Sequence, residues 1–192
     1  MRANTSRQLS TLVEGKTLVV VSMGSNDEPY RRFISALDLL SAATGPLTIA
    51  SVYQSQAVAH QQVIDEEVYY LNSVVSFWSD KNIAQLQRLL KSIEVQCGRD
   101  RASHKVAMDI DLLLYGDYQA STVAEVLPHT DILRYAYVLR PLAELLPNVC
   151  HPGLEATYAE LWQAFDKQQV LQPVDFMWQD QVVSTAPSCL IM

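Results

Sequence analysis

A chain of 192 residues, 49% hydrophobic and only 18% charged, holds enough apolar material for one well-packed domain and is not a low-complexity segment. Its net charge of −7 excludes an extended nucleic-acid surface, but leaves room for a local basic cluster that reads a small anion. Cys97, Cys150 and Cys189 form neither a CxxC pair nor a zinc-ligand spacing, which fits a reducing, cytoplasmic setting.

Residues 1–15 are polar and read as an N-terminal extension. The apolar run at 18–23 is too short for a signal or membrane-spanning segment, so no membrane partner is expected. Residues 16–23 (KTLVVVSM) predict a buried strand that stops at Gly24-Ser25-Asn26-Asp27. A helix follows from Pro29, with Phe33, Ile34, Leu37 and Leu40 at helical spacing, and closes near Gly45. Strands are predicted over 48–54 and 69–78, with a polar loop at 56–67 between them. The second helix carries the strongest signals. Asn82 and Gln85 have the form of a capping box, Ile83, Leu86, Leu90, Ile93 and Cys97 make one stripe, and Gly98 suits the stop. A basic loop (99–105), a strand ending at Tyr115, a helix over about 135–146 and a short helix over 158–165 complete the domain at 16–166. Residues 167–192 read as a tail with a strand or turn in it. The order βα–ββ–αβ–α predicts an α+β, ferredoxin-like sandwich, an antiparallel-rich sheet with helices packed on one face.

The segment most charged with chemical meaning is Met108-Asp109-Ile110-Asp111-Leu112-Leu113-Leu114. Strand alternation puts Met108, Ile110, Leu112 and Leu114 on one face, and Asp109 with Asp111 on the other, roughly 7 Å apart at Cα. Two carboxylates side by side repel each other and resist desolvation unless a cation or donors compensate them. Mg²⁺, held by one or two carboxylates plus substrate phosphates, would do so. A strand with one solvent-facing side would also carry such a pair.

Seven ordered blocks resemble the 6-hydroxymethyl-7,8-dihydropterin pyrophosphokinases of folate synthesis. They are Val20-Val21-Ser22-Met23-Gly24-Ser25-Asn26, Ser51-Val52-Tyr53-Gln54-Ser55, Tyr70-Leu71-Asn72-Ser73-Val74-Val75, Ile93-Glu94 with Gly98-Arg99-Asp100-Arg101, Met108 to Gly116, Leu127-Pro128-His129, and Val138-Leu139-Arg140-Pro141-Leu142-Ala143-Glu144-Leu145. The resemblance implies transfer of pyrophosphate from ATP to a reduced pterin, giving AMP. Asp109 and Asp111 would hold two Mg²⁺ ions, and Arg99 and Arg101 would join them as catalytic residues. Tyr70 and Tyr137 would sandwich the pterin, Asn72 would bond its edge, and the backbone at Ser55 and Val58 would read the rest. Glu94, Arg99, Arg101, Leu112 and His129 would bind ATP. The chain is expected to act as a monomer.

The chain departs from the family before the aspartate strand. Where the family has a Trp-Gly-Pro-Arg run, this sequence has Ala102-Ser103-His104-Lys105-Val106, without Trp or Arg and about three residues shorter. The Tyr that follows the family's His is Thr130, and the Arg nearer the second aromatic is Tyr135, beside Arg134. Two readings follow: an active enzyme in which Lys105, Arg134 or Arg140 takes over phosphate contacts, or a pterin-binding paralogue with lost or altered phosphotransfer.

Overall fold

The computed structural model describes residues 15–59, 62–99, 105–122 and 126–187. In chain order the elements are β1 (Thr17–Ser25), α1 (Pro29–Thr44), β2 (Thr48–Ile49), β3 (Tyr53–Ala59), β4 (Gln62–Ser79), α2 (Ile83–Gln96), β5 (Asp109–Tyr115), β6 (Ala120–Ser121), β7 (Val126–Leu127), a 3₁₀ turn (Thr130–Leu133), α3 (Ala136–Leu145), α4 (Tyr158–Ala164), β8 (Leu171–Pro173), β9 (Phe176–Trp178) and β10 (Gln181–Ser184). Among the described residues six strands form one antiparallel sheet in the order β5-β1-β4-β3-β8, with β2 also paired to β4. The predicted α+β class is found.

Helices cover both faces of this sheet, not the one face expected. On the first, Phe33, Leu37 and Leu40 of α1 and Leu86, Leu90 and Ile93 of α2 pack against Val19, Val21, Val75 and Phe77. On the second, Val138, Leu139 and Leu142 of α3 and Tyr158 of α4 pack against Val20, Val74, Leu113 and Leu114. The unbroken Val19-Val20-Val21 run is the sequence sign of a strand buried on both sides. A bulge changes the alternation on β5. Val20 pairs with Leu114 but Val21 pairs with Leu112, which leaves Leu113 as an extra residue. Leu114 therefore joins Val20 on the second face and not Ile110 and Leu112 on the first.

Two other expectations change. The strand predicted over 48–54 is broken between Ile49 and Tyr53 into β2 and β3, both on the same side of β4. Within the segment 56–67, expected to be a loop, residues 56–59 and 62–67 extend β3 and β4 as a ladder, with Ala57 opposite Asp65 and Val58 opposite Val63. The α2 capping box forms as predicted: Asn82 accepts from the Gln85 amide and Gln85 accepts from the Asn82 amide, each at 2.9 Å. Gly98, at φ 89°, takes the left-handed turn that closes the helix.

The segment after α4 is tied into the domain. β8 adds to the sheet beside β3, and β9 and β10 form a hairpin. Phe176, 2% exposed, meets Phe33 edge-on at 6.0 Å, and burying such a ring stabilises the fold by about 1.5–3 kcal/mol. Ser184 Oγ donates to the Val174 carbonyl at 2.7 Å and accepts from the Val52 amide at 3.2 Å.

Candidate active site

Along the second face, β1 presents Val20, then Ser22, then Gly24, so side-chain volume shrinks toward the end of the strand. Ser22 lies between Val74 on β4 and Asp111 on β5, and Gly24 between Asn72 and Asp109. That small-residue floor leaves a cavity of about 250 Å³. A Cβ on Gly24 would stand 3.1 Å from Asn72 Oδ1, so glycine lets the amide lie over the strand. Asn72, 6% exposed, donates from Nδ2 to Ser55 Oγ at 2.9 Å, which fixes the amide's orientation and leaves Oδ1 as an acceptor.

Tyr70 and Tyr137, both half-buried, line this cavity together with Asp109 and Asp111. Tyr137 stacks on Tyr135 with ring centroids 5.0 Å apart and planes 16° from parallel. Burial, then the charges of Asp131, Tyr135, Asp111 and Asp109, push the Tyr137 phenol well above its ordinary range, so it stays neutral. Burial and the nearby Asp109 raise Tyr70 as well. The helix that carries Tyr137 is locked to the sheet one to two turns further on. Tyr53 donates its hydroxyl to Glu144 and accepts from Arg140 Nε at 3.1 Å, while Arg140 Nη2 meets Glu144 at 3.0 Å. Arg140 is thereby committed to holding α3, and it lines neither the cavity nor the groove described below.

Burial raises the Asp111 pKa, and the charge of Asp109 raises it further, while His129 and Lys91 pull it down. Asp109 has a local cation: Arg99 donates to its Oδ1 at 2.6 Å and also bonds Glu94. Glu94, fully buried, accepts from the Ile110 amide at 3.0 Å and from Lys91 Nζ at 2.8 Å. Its carboxylate therefore joins α2, β5 and Arg99, and lines neither cavity. Among the described residues no three His, Cys, Asp or Glu side chains form a complete metal-ligand set. Two carboxylates, one of them raised by burial and by its neighbour, fit a hard divalent cation whose remaining ligands would come from substrate phosphates.

Asp111 also borders a second groove, of about 570 Å³, lined by Leu112, His129, Lys91, Gln87, Leu90 and Thr130 among others. Leu112, 8% exposed, offers an apolar surface there. His129 Nδ1 accepts from the Asp131 amide at 3.3 Å, which puts the ring proton of a neutral imidazole on Nε2 and leaves that nitrogen to a ligand. Sequence reasoning missed Lys91 and Asp131. Lys91 has the i,i+3 spacing to Glu94 on α2, but a lysine on a helix face reads as solvated. Asp131 lines the first cavity beside Tyr137. Ser55, Gln56 and Ala57 line the first cavity. Val58 belongs to β3, but its side chain lies outside the described residues, as does all of Arg101. Lys105 Nζ lies 3.6 Å from Asp27, and Arg134 is exposed. No helix among the described residues is long and apolar enough to cross a membrane.

Residues 20–147 match the family model described as 7,8-dihydro-6-hydroxymethylpterin-pyrophosphokinase. The chain is 29% identical over 148 residues to the 2-amino-4-hydroxy-6-hydroxymethyldihydropteridine pyrophosphokinase of Bacillus subtilis, covering 74% of this chain and 84% of that one. It is 27% identical over 155 residues to a folic acid synthesis protein of Schizosaccharomyces pombe, but spans only 20% of that longer protein. A Plasmodium falciparum HPPK-DHPS structure with pteroate aligns at a TM-score of 0.66 and 13% identity, over 90% of this chain and 48% of that one, so it shows the shared fold. With a family match over two thirds of its length, on the sheet and helices that build both cavities, the chain belongs to the 7,8-dihydro-6-hydroxymethylpterin-pyrophosphokinase family.

Proposed function

We propose that the protein transfers the terminal pyrophosphoryl group of ATP to the hydroxymethyl oxygen of 6-hydroxymethyl-7,8-dihydropterin, releasing AMP, a step of folate synthesis. The observation that carries this reading is the meeting of two differently built cavities at one carboxylate, Asp111. In the first, a flat polar heterocycle lies on the Ser22–Gly24 floor. Tyr70 and Tyr137 contribute aromatic surface, and Asn72 Oδ1, held by Ser55, accepts from its edge. In the second, Leu112 receives the adenine, while His129 and Lys91 face the phosphates.

The hydroxymethyl oxygen attacks the β-phosphorus and loses its proton. The bond from that phosphorus to the α–β bridging oxygen breaks, and the oxygen leaves with AMP. Asp109 and Asp111 would hold two Mg²⁺ ions, which neutralise phosphate charge and ease ionisation of the attacking hydroxyl. The chain's own part is positioning. Sheet register fixes Asn72 and both aspartates, and Arg99, anchored by Glu94, holds a guanidinium against Asp109.

The test is AMP formation from MgATP by the purified full chain, with and without 6-hydroxymethyl-7,8-dihydropterin. Pterin-dependent AMP without ADP supports the proposal. Pterin binding without AMP overturns it in favour of a paralogue that keeps the pocket but not the transfer.

A further inference from the structure

The second aromatic of the pocket, Tyr137, sits in the first turn of α3, and that turn has no cap of its own. Tyr135 occupies the cap position and makes no side-chain cap bond. The first amides of a helix need acceptors from outside it. The Ala136 amide finds one in Gln169, whose Oε1 accepts from it at 2.8 Å across 33 residues of sequence. The same side-chain amide donates from Nε2 to the Arg134 carbonyl at 3.1 Å. Gln169 thus bonds the backbone on both sides of Tyr135, the residue on which Tyr137 stacks. Two residues later the same segment enters the sheet. Leu171 of β8 pairs with Ser55 of β3, the residue that holds Asn72. A stretch of three residues therefore bonds both walls of the first cavity, the α3 wall with Tyr137 and Val138 and the β3 wall with Ser55 to Ala57.

We propose that Gln169 is a positioning residue for Tyr137, supplying from the C-terminal segment the cap that α3 lacks and so setting the width of the pterin pocket. It rests on the reading of this cavity as the pterin site. Gln169 is partly exposed and touches no residue of the nucleotide groove by these bonds, so its loss acts on one substrate only.

Gln169→Met keeps the bulk of the side chain and removes both hydrogen bonds; Gln169→Ala removes both bulk and bonds. In the full chain, each variant raises the dissociation constant and KM for 6-hydroxymethyl-7,8-dihydropterin about fivefold, the scale of a lost helix cap. The dissociation constant for MgATP and kcat stay within about twofold. A Gln169→Met protein with wild-type pterin affinity, or one weakened equally toward MgATP, overturns the proposal. Amide exchange at Ala136 and the Tyr137 ring resonances give a readout that needs no ligand. Faster exchange and shifted ring signals in both variants support the cap, and unchanged signals overturn it. If the wild-type chain binds no pterin, the functional reading fails while these signals still decide the cap.

Discussion

The first cavity, the proposed pterin pocket, and the second, the proposed nucleotide groove, share Asp111 but are assembled from different kinds of parts. In the pocket, Ser22, Gly24, Asn72, Asp109 and Asp111 are short side chains on three adjacent strands, each placed by backbone register. Any shift of β1 against β4 or β5 would move all of them together. In the groove, Lys91 and Gln87 are long side chains on the solvent-facing part of α2, and His129 and Thr130 stand on a turn. A strand ladder fixes a short side chain to a fraction of an ångström, whereas a long one must lose rotamer freedom when it binds. On the proposed reading, one substrate sits on a preset template and the other among groups that order around it.

The largest effect separates chemistry from binding. Asp111→Ala removes the one side chain that, among the described residues, is common to both cavities, and is expected to lower kcat at least a thousandfold, on the order of 4 kcal/mol. Pterin affinity, measured by titration, changes far less. Near-normal turnover with Mg²⁺ would break the two-cavity account altogether. Next, Tyr137→Ala is expected to weaken pterin binding about tenfold, ~1.4 kcal/mol, and to leave MgATP binding unchanged. Equal losses for both substrates would mean that the two sides are one unit. Lys91→Met is the mirror experiment. It raises the MgATP dissociation constant about fivefold, ~1 kcal/mol, without moving the pterin. An unchanged MgATP affinity would return Lys91 to the role of partner to Glu94 alone.

The smallest effect concerns the scaffold behind the pocket. His151, 8% exposed, lies 6.0 Å from the Tyr158 ring in the core beneath α3 and α4, and burial lowers its pKa below the usual 6.5. A group depressed in the folded state binds more protons when unfolded, so its contribution is complete above about pH 6.5 and is lost as pH falls below that value. Melting temperature should drop from pH 7.5 to 5.5, and His151→Gln should flatten the drop. A slope unaltered by that substitution would place the sensitivity elsewhere.

How much of this was legible beforehand follows the same division. Period-two alternation was enough to put Asp109 and Asp111 on one face, and Asn82 with Gln85 announced the start of α2. Both rest on neighbours within four residues. The bulge at Leu113 was not legible, because it is set by pairing with Val20 and Val21, about 90 positions away, and it moves Leu114 to the other face. The extension of β3 and β4 over 57–59 and 62–65 carries no hydrophobic alternation to read, as its pairs include Ala57 with Asp65 and Ala59 with Gln62. The C-terminal segment offers one buried ring, Phe176, rather than a periodic stripe, so its place in the core is visible only in three dimensions. Lys91 was missed for the converse reason: its surroundings come from β5 and the turn after β7, while its own helix reads as an ordinary solvated face.

Arg99 carries a consequence for how the reaction begins. It bridges Asp109 and the buried Glu94, so one of the two carboxylates proposed to hold metal already has a cation supplied by the chain. If Asp109 holds a divalent ion in the proposed reaction, Arg99 would be released from that carboxylate while staying anchored on Glu94, and its guanidinium would be available to phosphate oxygens. Nucleotide affinity would then report the difference between two compensated arrangements.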